Sequence, residues 1–323
     1  MMTSMRASCF TWIKIKDKSE FLGIYYTFFH EVVSRLIAKI GLDKIDKQLL
    51  LDLVAIRILE PASKARSIEL LDVYFGIKHR RQSFYRAAPS WLSLKSEVEA
   101  IAVQFARQNY EFNYDLLFYD VTTLYFETFE EDLLRKNGFS KDNKSQQPQI
   151  LVALMVTKEG FPVAYDIFPG NTFEGHTILP VVKAFIEKHS VRNFTIVADA
   201  AMISDTNVCQ LLENDINYIV GTRLGNLSKA LIKKIDDTIS RDDGKSIRIK
   251  TSNGYLICSY SSVRYRKDKY EMERQIERAM AVVKDPSKNK RLKFVKTSKK
   301  EAELNEALIE KTKKLLGIKT WKR

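Results

Sequence analysis

The chain has little cysteine: Cys9, Cys209 and Cys258 are the only three in 323 residues, far apart and without a CxxC pair. An odd, scattered set excludes a disulfide framework and a cysteine-based structural zinc site, so the three are expected to be reduced and either buried or incidental. Long hydrophobic runs are missing as well. No stretch approaches the ~18 consecutive apolar residues of a membrane helix, and the first residues lack the charged start and small-residue cleavage site of a secretory signal. No membrane association and a cytoplasmic location are therefore expected. What the chain does have is an ordinary globular composition, 45% hydrophobic, with length enough for two or three domains.

Basic charge exceeds acidic at both ends. The formal net charge is +13, distributed as +5 over residues 1–113, −1 over 114–283 and +9 over 284–323. A neutral core that carries acids, between flanks able to neutralise phosphates, is the electrostatic footprint of a nucleic-acid protein. A solvated Lys-rich face gives the same count, and for the tail both readings stand.

Residues 1–113 read as helical. Leu49, Leu50, Leu53, Val54, Ile56 and Ile58 recur at helical spacing, Pro61 interrupts, and Ser63 is placed to cap a second helix toward Leu71. A basic connector, Gly76-Ile77-Lys78-His79-Arg80-Arg81-Gln82-Ser83-Phe84-Tyr85-Arg86, leads to an amphipathic helix from about Ser93 to Tyr110. Such a bundle can present a helix to a DNA groove, and it equally suits a dimerisation or structural domain.

From residue 114 the period changes to alternation. Leu116 to Phe126 reads as a strand with Asp120 at its middle, and Phe194 to Asp199 as another with Asp199 at its C-terminal end. A carboxylate inside a buried strand requires a cation, a proton or a hydrogen-bond cage, so two of them in a basic protein point to a divalent metal site acting on a polyanion. Residues 150–157 and 161–168 form a hairpin about Lys158-Glu159-Gly160. Helices follow at 177–189, 205–213 and 227–235, with a strand at 217–222. The order β-β-β-α-β-α-β-α sets the first and fourth strands side by side in an α/β mixed sheet of RNase H type, with Asp120 and Asp199 on neighbours. Residues 246–266 read as a β-hairpin about Asn253-Gly254, in which Tyr255, Tyr260 and Tyr265 either stack on unpaired bases or simply pack the hairpin.

Several blocks carry a resemblance. Tyr119-Asp120-Val121-Thr122-Thr123-Leu124-Tyr125-Phe126-Glu127, Gly138-Phe139-Ser140-Lys141-Asp142, Gly170-Asn171-Thr172-Phe173-Glu174 and Val197-Ala198-Asp199-Ala200-Ala201-Met202 occur in that order. Together they resemble a DDE insertion-sequence transposase of the insertion-sequence-four-like superfamily. The resemblance implies an RNase H-like core with a β insertion (114–284, insertion about 246–266), a helical N-terminal domain (1–113) for DNA binding or dimerisation, and a basic helical tail (285–323). It implies Asp120 and Asp199 as the first two catalytic acids and metal ligands, Mg²⁺ or Mn²⁺ as cofactor, and double-stranded DNA (terminal repeats and target) as partner, with a homodimer left open. Arg223, just after the strand 218–222, resembles the family's basic residue there and is read as a phosphate contact, an ordinary surface arginine being the alternative. Asn171 and Glu174 match a capping sequence, and His176 is given no role.

The third acid departs from the pattern. The family's helix of Tyr, two residues, Arg, three residues, Glu, six residues, Lys is met only at Tyr270, Glu277 and Lys284, with Glu273 at the arginine position and Arg274 one place off. Lys267–Lys284 is therefore read as a solvated helix, the true glutamate as missing, and Lys319-Thr320-Trp321-Lys322-Arg323 as not forming the strand expected to follow. Three expectations result: a transposase polypeptide ending before its last catalytic segment, a complete enzyme that recruits Glu277, or a non-catalytic DNA-binding regulator or competitor.

Overall fold

The computed structural model describes residues 24–140, 144, 146–191, 194–200, 204–251, 254–284, 292–297 and 302–323. Cys9, Lys141, Asp142, Ala201, Met202 and Asn253 lie outside them. The chain divides into two compact units, one up to Gln108 and one from Asn109.

The first unit is helical: α1 (Thr27–Ile40), α2 (Gln48–Leu59), α3 (Lys64–Leu70) running on into a π turn at Leu71–Phe75, α4 (Arg81–Ala87) and α5 (Lys95–Asn109). Its core joins Val33 and Ile37 of α1 to Leu53 and Ile56 of α2 and to Leu70, Leu71 and Phe75. Ile56, Leu70 and Leu71 are wholly enclosed, each such side chain contributing about 1.5–3 kcal/mol. Ser63 caps α3 as its position suggests, its hydroxyl accepting from the Arg66 N–H at 3.3 Å.

The second unit is built on an eight-stranded mixed sheet, in the order β3-β2-β1-β4-β5-β10-β7-β6. Its strands are β1 (Leu116–Tyr125), β2 (Gln149–Val156), β3 (Pro162–Pro169), β4 (Thr195–Ala198), β5 (Asn217–Gly221), β6 (Ser246–Thr251), β7 (Gly254–Tyr260) and β10 (Ile318–Lys322). Helices α6 (Ile178–His189), α7 (Asp205–Glu213) and α8 (Lys229–Thr238) alternate with the central strands. A separate ribbon pairs β8 (Val295–Thr297) with β9 (Ala302–Leu304). β1 runs antiparallel to β2 and parallel to β4, which is parallel to β5. This is the RNase H-like mixed sheet preceded by helices that the element order implies. The turn between β2 and β3 is as read, with Gly160 at φ +83°.

Along β1 the burial alternates strictly. Leu117, Tyr119 and Val121 are buried, while Phe118, Asp120, Thr122 and Leu124 face outward. The buried face meets the helical layer, and the Tyr119 hydroxyl donates to Thr177 Oγ1 at 2.6 Å at the start of α6.

The C-terminal region differs from the sequence reading in four ways. Residues 318–322 do form a strand, and it lies inside the sheet, antiparallel to both β5 and β7. The tail is therefore not simply helical: besides α10 (Glu306–Lys314) it holds β8, β9 and β10. The hairpin ends at Tyr260 rather than near 266, because α9 (Ser262–Lys284) starts at once. Finally, α9 is not solvated all round: Met272 and Ala279 are buried in a cluster with Phe294, Ile309 and Leu316. Those few apolar positions in a 23-residue helix are too sparse among its charges to be recognised without their partners.

Candidate catalytic site

The paired aspartates arise from strand register. Phe118 lies opposite Val197 and Tyr119 opposite Ala198, the last pair of the parallel register β1–β4; the residues that follow are Asp120, still within β1, and Asp199, one residue past the end of β4. Neighbouring strands run about 4.8 Å apart, and residues at matched positions share a face. Asp120 thus stands on the outer face of the sheet, opposite the one that carries Tyr119, and Asp199 is exposed just past the end of β4. The Ala200 N–H donates to Asp199 Oδ1 at 2.6 Å, which orients this carboxylate at the strand end. On its other side Asp120 is paired with Leu154 of β2.

Both aspartates are exposed, which corrects the premise that an interior strand forces a partner upon them. The run Leu116–Phe126 looks continuously apolar because Phe118 and Leu124 point outward on the same face as Asp120, where they are 38% and 48% exposed. The buried titratable group here is the neighbour, Tyr119. Burial pushes its hydroxyl well above the usual tyrosine range, the Thr177 hydrogen bond opposes this, and the negative charges of Asp166 and Asp120 add to it.

At the C-terminal ends of β4 and β5 lies a depression of about 450 Å³, bordered by Phe173, Ala200, Ser204, Thr222, Arg223 and Lys322. Such a position, outside the carboxyl ends of parallel strands, is where open α/β sheets hold ligands. The depression is lined both by Arg223, exposed just past β5, and by Ala200, the residue that follows Asp199. Gly221 permits the close approach: a Cβ there would lie 2.9 Å from the Ala200 nitrogen. Ser204 and Lys322 were not picked out by the sequence. Ser204 had the signal of a helix cap, and its hydroxyl accepts from the Asn207 N–H; Lys322 became visible only with β10.

The glycine-bearing blocks have a packing explanation. The backbones at Gly138 and Gly170 cross, so that a Cβ on Gly138 would lie 2.0 Å from Gly170 O and one on Gly170 would lie 2.1 Å from Gln149 O. Gln149, 1% exposed, ties the crossing together by donating to Gly170 O at 2.8 Å and to Phe139 O at 3.2 Å. This fixes the loop from which Phe173 reaches the depression. Asn171 and Glu174 do not cap a helix: Phe173 precedes the 3-10 turn Glu174–His176, without a side-chain cap. His176 is exposed against the Phe173 ring at 5.4 Å.

Other candidates are not brought to the pair. Glu277 is exposed on α9, which follows β7, a strand that β5 and β10 separate from β4 in the sheet. Tyr260 is buried and Tyr265 packs against it at 6.2 Å, while Tyr255 lies under the Arg248 guanidinium at 3.5 Å. The hairpin tyrosines thus pack their own scaffold. Cys258 is buried, which pushes its thiol up to about 11, and Cys209 is exposed.

Two exposed carboxylates, one on β1 and one just past the end of β4, are an oxygen-donor set that fits Mg²⁺ or Mn²⁺ in kind. Among the described residues, no three of the His, Cys, Asp and Glu side chains form a group able to hold a metal ion, so Glu277 does not complete this pair.

The Transposase DDE domain family matches residues 111–309. Among solved structures, the chain is similar to a piggyBac transposase synaptic complex with hairpin DNA, at 15% identity and a TM-score of 0.35, over 74% of this chain and 49% of that one. It is also similar to the Mos1 transposase paired-end complex with left transposon end, at 10% identity and a TM-score of 0.24, over 51% of this chain and 56% of that one. The chain spans about half the length of each. Among curated proteins, none matches it.

Proposed function

This chain belongs to the Transposase DDE domain family, and from that premise we propose that it is an insertion-sequence transposase polypeptide of the insertion-sequence-four-like kind, acting on the phosphodiester backbone of double-stranded DNA by metal-dependent cleavage and strand transfer. The observation that supports this reading is the β1–β4 register, whose last pair, Tyr119 opposite Ala198, is followed on each chain segment by an exposed aspartate, Asp120 and Asp199. In this reading Asp120 and Asp199 are the ligands that hold the cation, and rigid strands fix their spacing better than loops do. A bound Mg²⁺ or Mn²⁺ supplies Lewis-acid charge to the phosphoryl oxygens. Arg223, at the rim of the depression, contacts a DNA phosphate and keeps the strand against the aspartate pair.

One observation favours a second reading. Among the described residues no third His, Cys, Asp or Glu groups with the two aspartates as a possible metal ligand, and chemistry that depends on fixed position and charge loses rate steeply when a group is missing. A DNA-binding regulator or competitor of a complete transposase is the alternative.

The test is cleavage of a duplex bearing the element's end sequence, in Mn²⁺, with binding measured alongside. Slow cleavage is expected, lowered by about 10²–10³ or more in Asp120→Ala and Asp199→Ala and unchanged in Glu277→Ala. Tight binding without cleavage in any variant selects the regulator. Robust cleavage abolished by Glu277→Ala overturns the placement of that residue outside the site, and absence of both binding and cleavage overturns both readings.

A further inference from the structure

The basic connector between the π turn and α4 has a pattern that the transposase reading leaves unused. Ile77 packs against the helical core, Lys78 is exposed, His79 turns inward and Arg80 is exposed, after which Arg81 and Arg86 also face solvent. The inward His79 meets Asp52, a carboxylate only 2% exposed, with Nε2 to Oδ2 at 2.7 Å. Asp52 also accepts from Gln48 Nε2 at 2.7 Å, and His30 Nε2 stands 3.7 Å from Oδ1. A carboxylate so deeply enclosed is costly unless hydrogen-bonded on both oxygens, and here one of its main partners comes from the connector itself. Phe84 and Trp91, ring centroids 5.7 Å apart, secure the far end against the same core.

The outward charges differ from the unit's other arginines. Arg35 is bound to Glu31, Arg66 to Glu69, and Arg57 to the Ala62 carbonyl. Lys78, Arg80, Arg81 and Arg86 have no ion pair with any described residue, although they occupy one short, tethered stretch. Four uncompensated cations on one short stretch of chain, with Arg81 and Arg86 about 140° apart around α4, repel a second copy of the same stretch and attract a polyanion.

We propose that Lys78, Arg80, Arg81 and Arg86 form a phosphate-contact surface of the helical unit for double-stranded DNA, and that His79, through its bond to Asp52, is the positioning residue that holds this surface in shape. The inference rests on the DNA-binding part of the reading above and adds to it which residues make contact and what sets their geometry.

The experiment measures the affinity of the full chain for a short duplex of arbitrary sequence as a function of salt. The parent chain is expected to show a steep log–log dependence. Arg80→Ala with Arg81→Ala should reduce the slope by about 2, one per lost phosphate contact, and weaken binding to all sequences alike. His79→Ala, with cations Lys78, Arg80, Arg81 and Arg86 intact, should reduce the slope as well, whereas His79→Gln, whose amide can still donate to Asp52, should restore it. Thermal unfolding of each variant identifies any that fail to fold. A double-arginine variant with the parental slope overturns the surface while leaving DNA binding intact, and a folded His79→Gln no better than His79→Ala overturns the positioning role. A parent chain whose affinity is flat with salt overturns the DNA-binding reading and this inference together.

Discussion

At Gly170 no room exists for even one methyl group, since a Cβ would lie 2.1 Å from the Gln149 carbonyl oxygen and 2.4 Å from that of Lys136. Both obstacles are backbone, so neither can swing away as a side chain would. Gly170→Ala is therefore expected to destabilise the fold by about 3 kcal/mol, the upper end for overpacking a tight interior. Urea unfolding measures this, and a cost below about 0.5 kcal/mol would show that the crossing is looser than described. The same scale shows how far single residues could be read from the sequence. Asp120 and Asp199 stand out in the sequence by chemistry and strand order, whereas their exposure does not. An apolar residue on the outer face, such as Phe118, is indistinguishable from a core residue when only the run is seen. Gln149 carried no signal at all, because its bonds to Gly170 and Phe139 join segments that sequence spacing does not connect.

The elements β1 to β5 and α6 to α8 were legible to within a few residues, because each carries a period, a cap or a turn of its own. β10 was not. Five residues with two lysines have weak strand character, and only the finished sheet explains why Ile318 and Thr320 are buried while Lys319 is exposed. The pairing of β10 is non-local: Thr320 Oγ1 donates to the Thr222 carbonyl at 3.0 Å across 98 positions. As β10 bridges β5 and β7, a proline there breaks a central ladder. Thr320→Pro is expected to remove hydrogen-exchange protection from residues 254–260 while leaving protection at 116–121 in place. Equal loss in both strands would mean that the sheet opens as one cooperative unit instead.

For the whole molecule the uneven charge is the main guide, with a net of +13 concentrated in the two flanks. Affinity of the chain for DNA is expected to fall by orders of magnitude between roughly 50 and 200 mM salt. The two flanks should not contribute alike. On α10, Lys311 donates to the Gly225 carbonyl, Lys313 is paired with Glu310 and Lys314 stands 4.0 Å from Asp236. Replacing these three with glutamine should therefore change the salt slope less than removing Arg80 and Arg81, and a larger change would move the main contact to the tail. Deleting residues 284–323 is not a clean test of the tail, because it removes β10 along with the charge. The place of β10 in the sheet also bears on how the protein is made. About sixty residues separate the end of β7 from the start of β10, which at about 5–20 residues per second leaves roughly 3–12 s of synthesis between them. Through that interval the nascent chain presents two unpaired strand edges, β5 and β7, that wait for the same partner. Unpaired edges are templates for pairing with other chains, so the chain is expected to be most open to edge-to-edge association while it is being made, over an interval set by the ribosome.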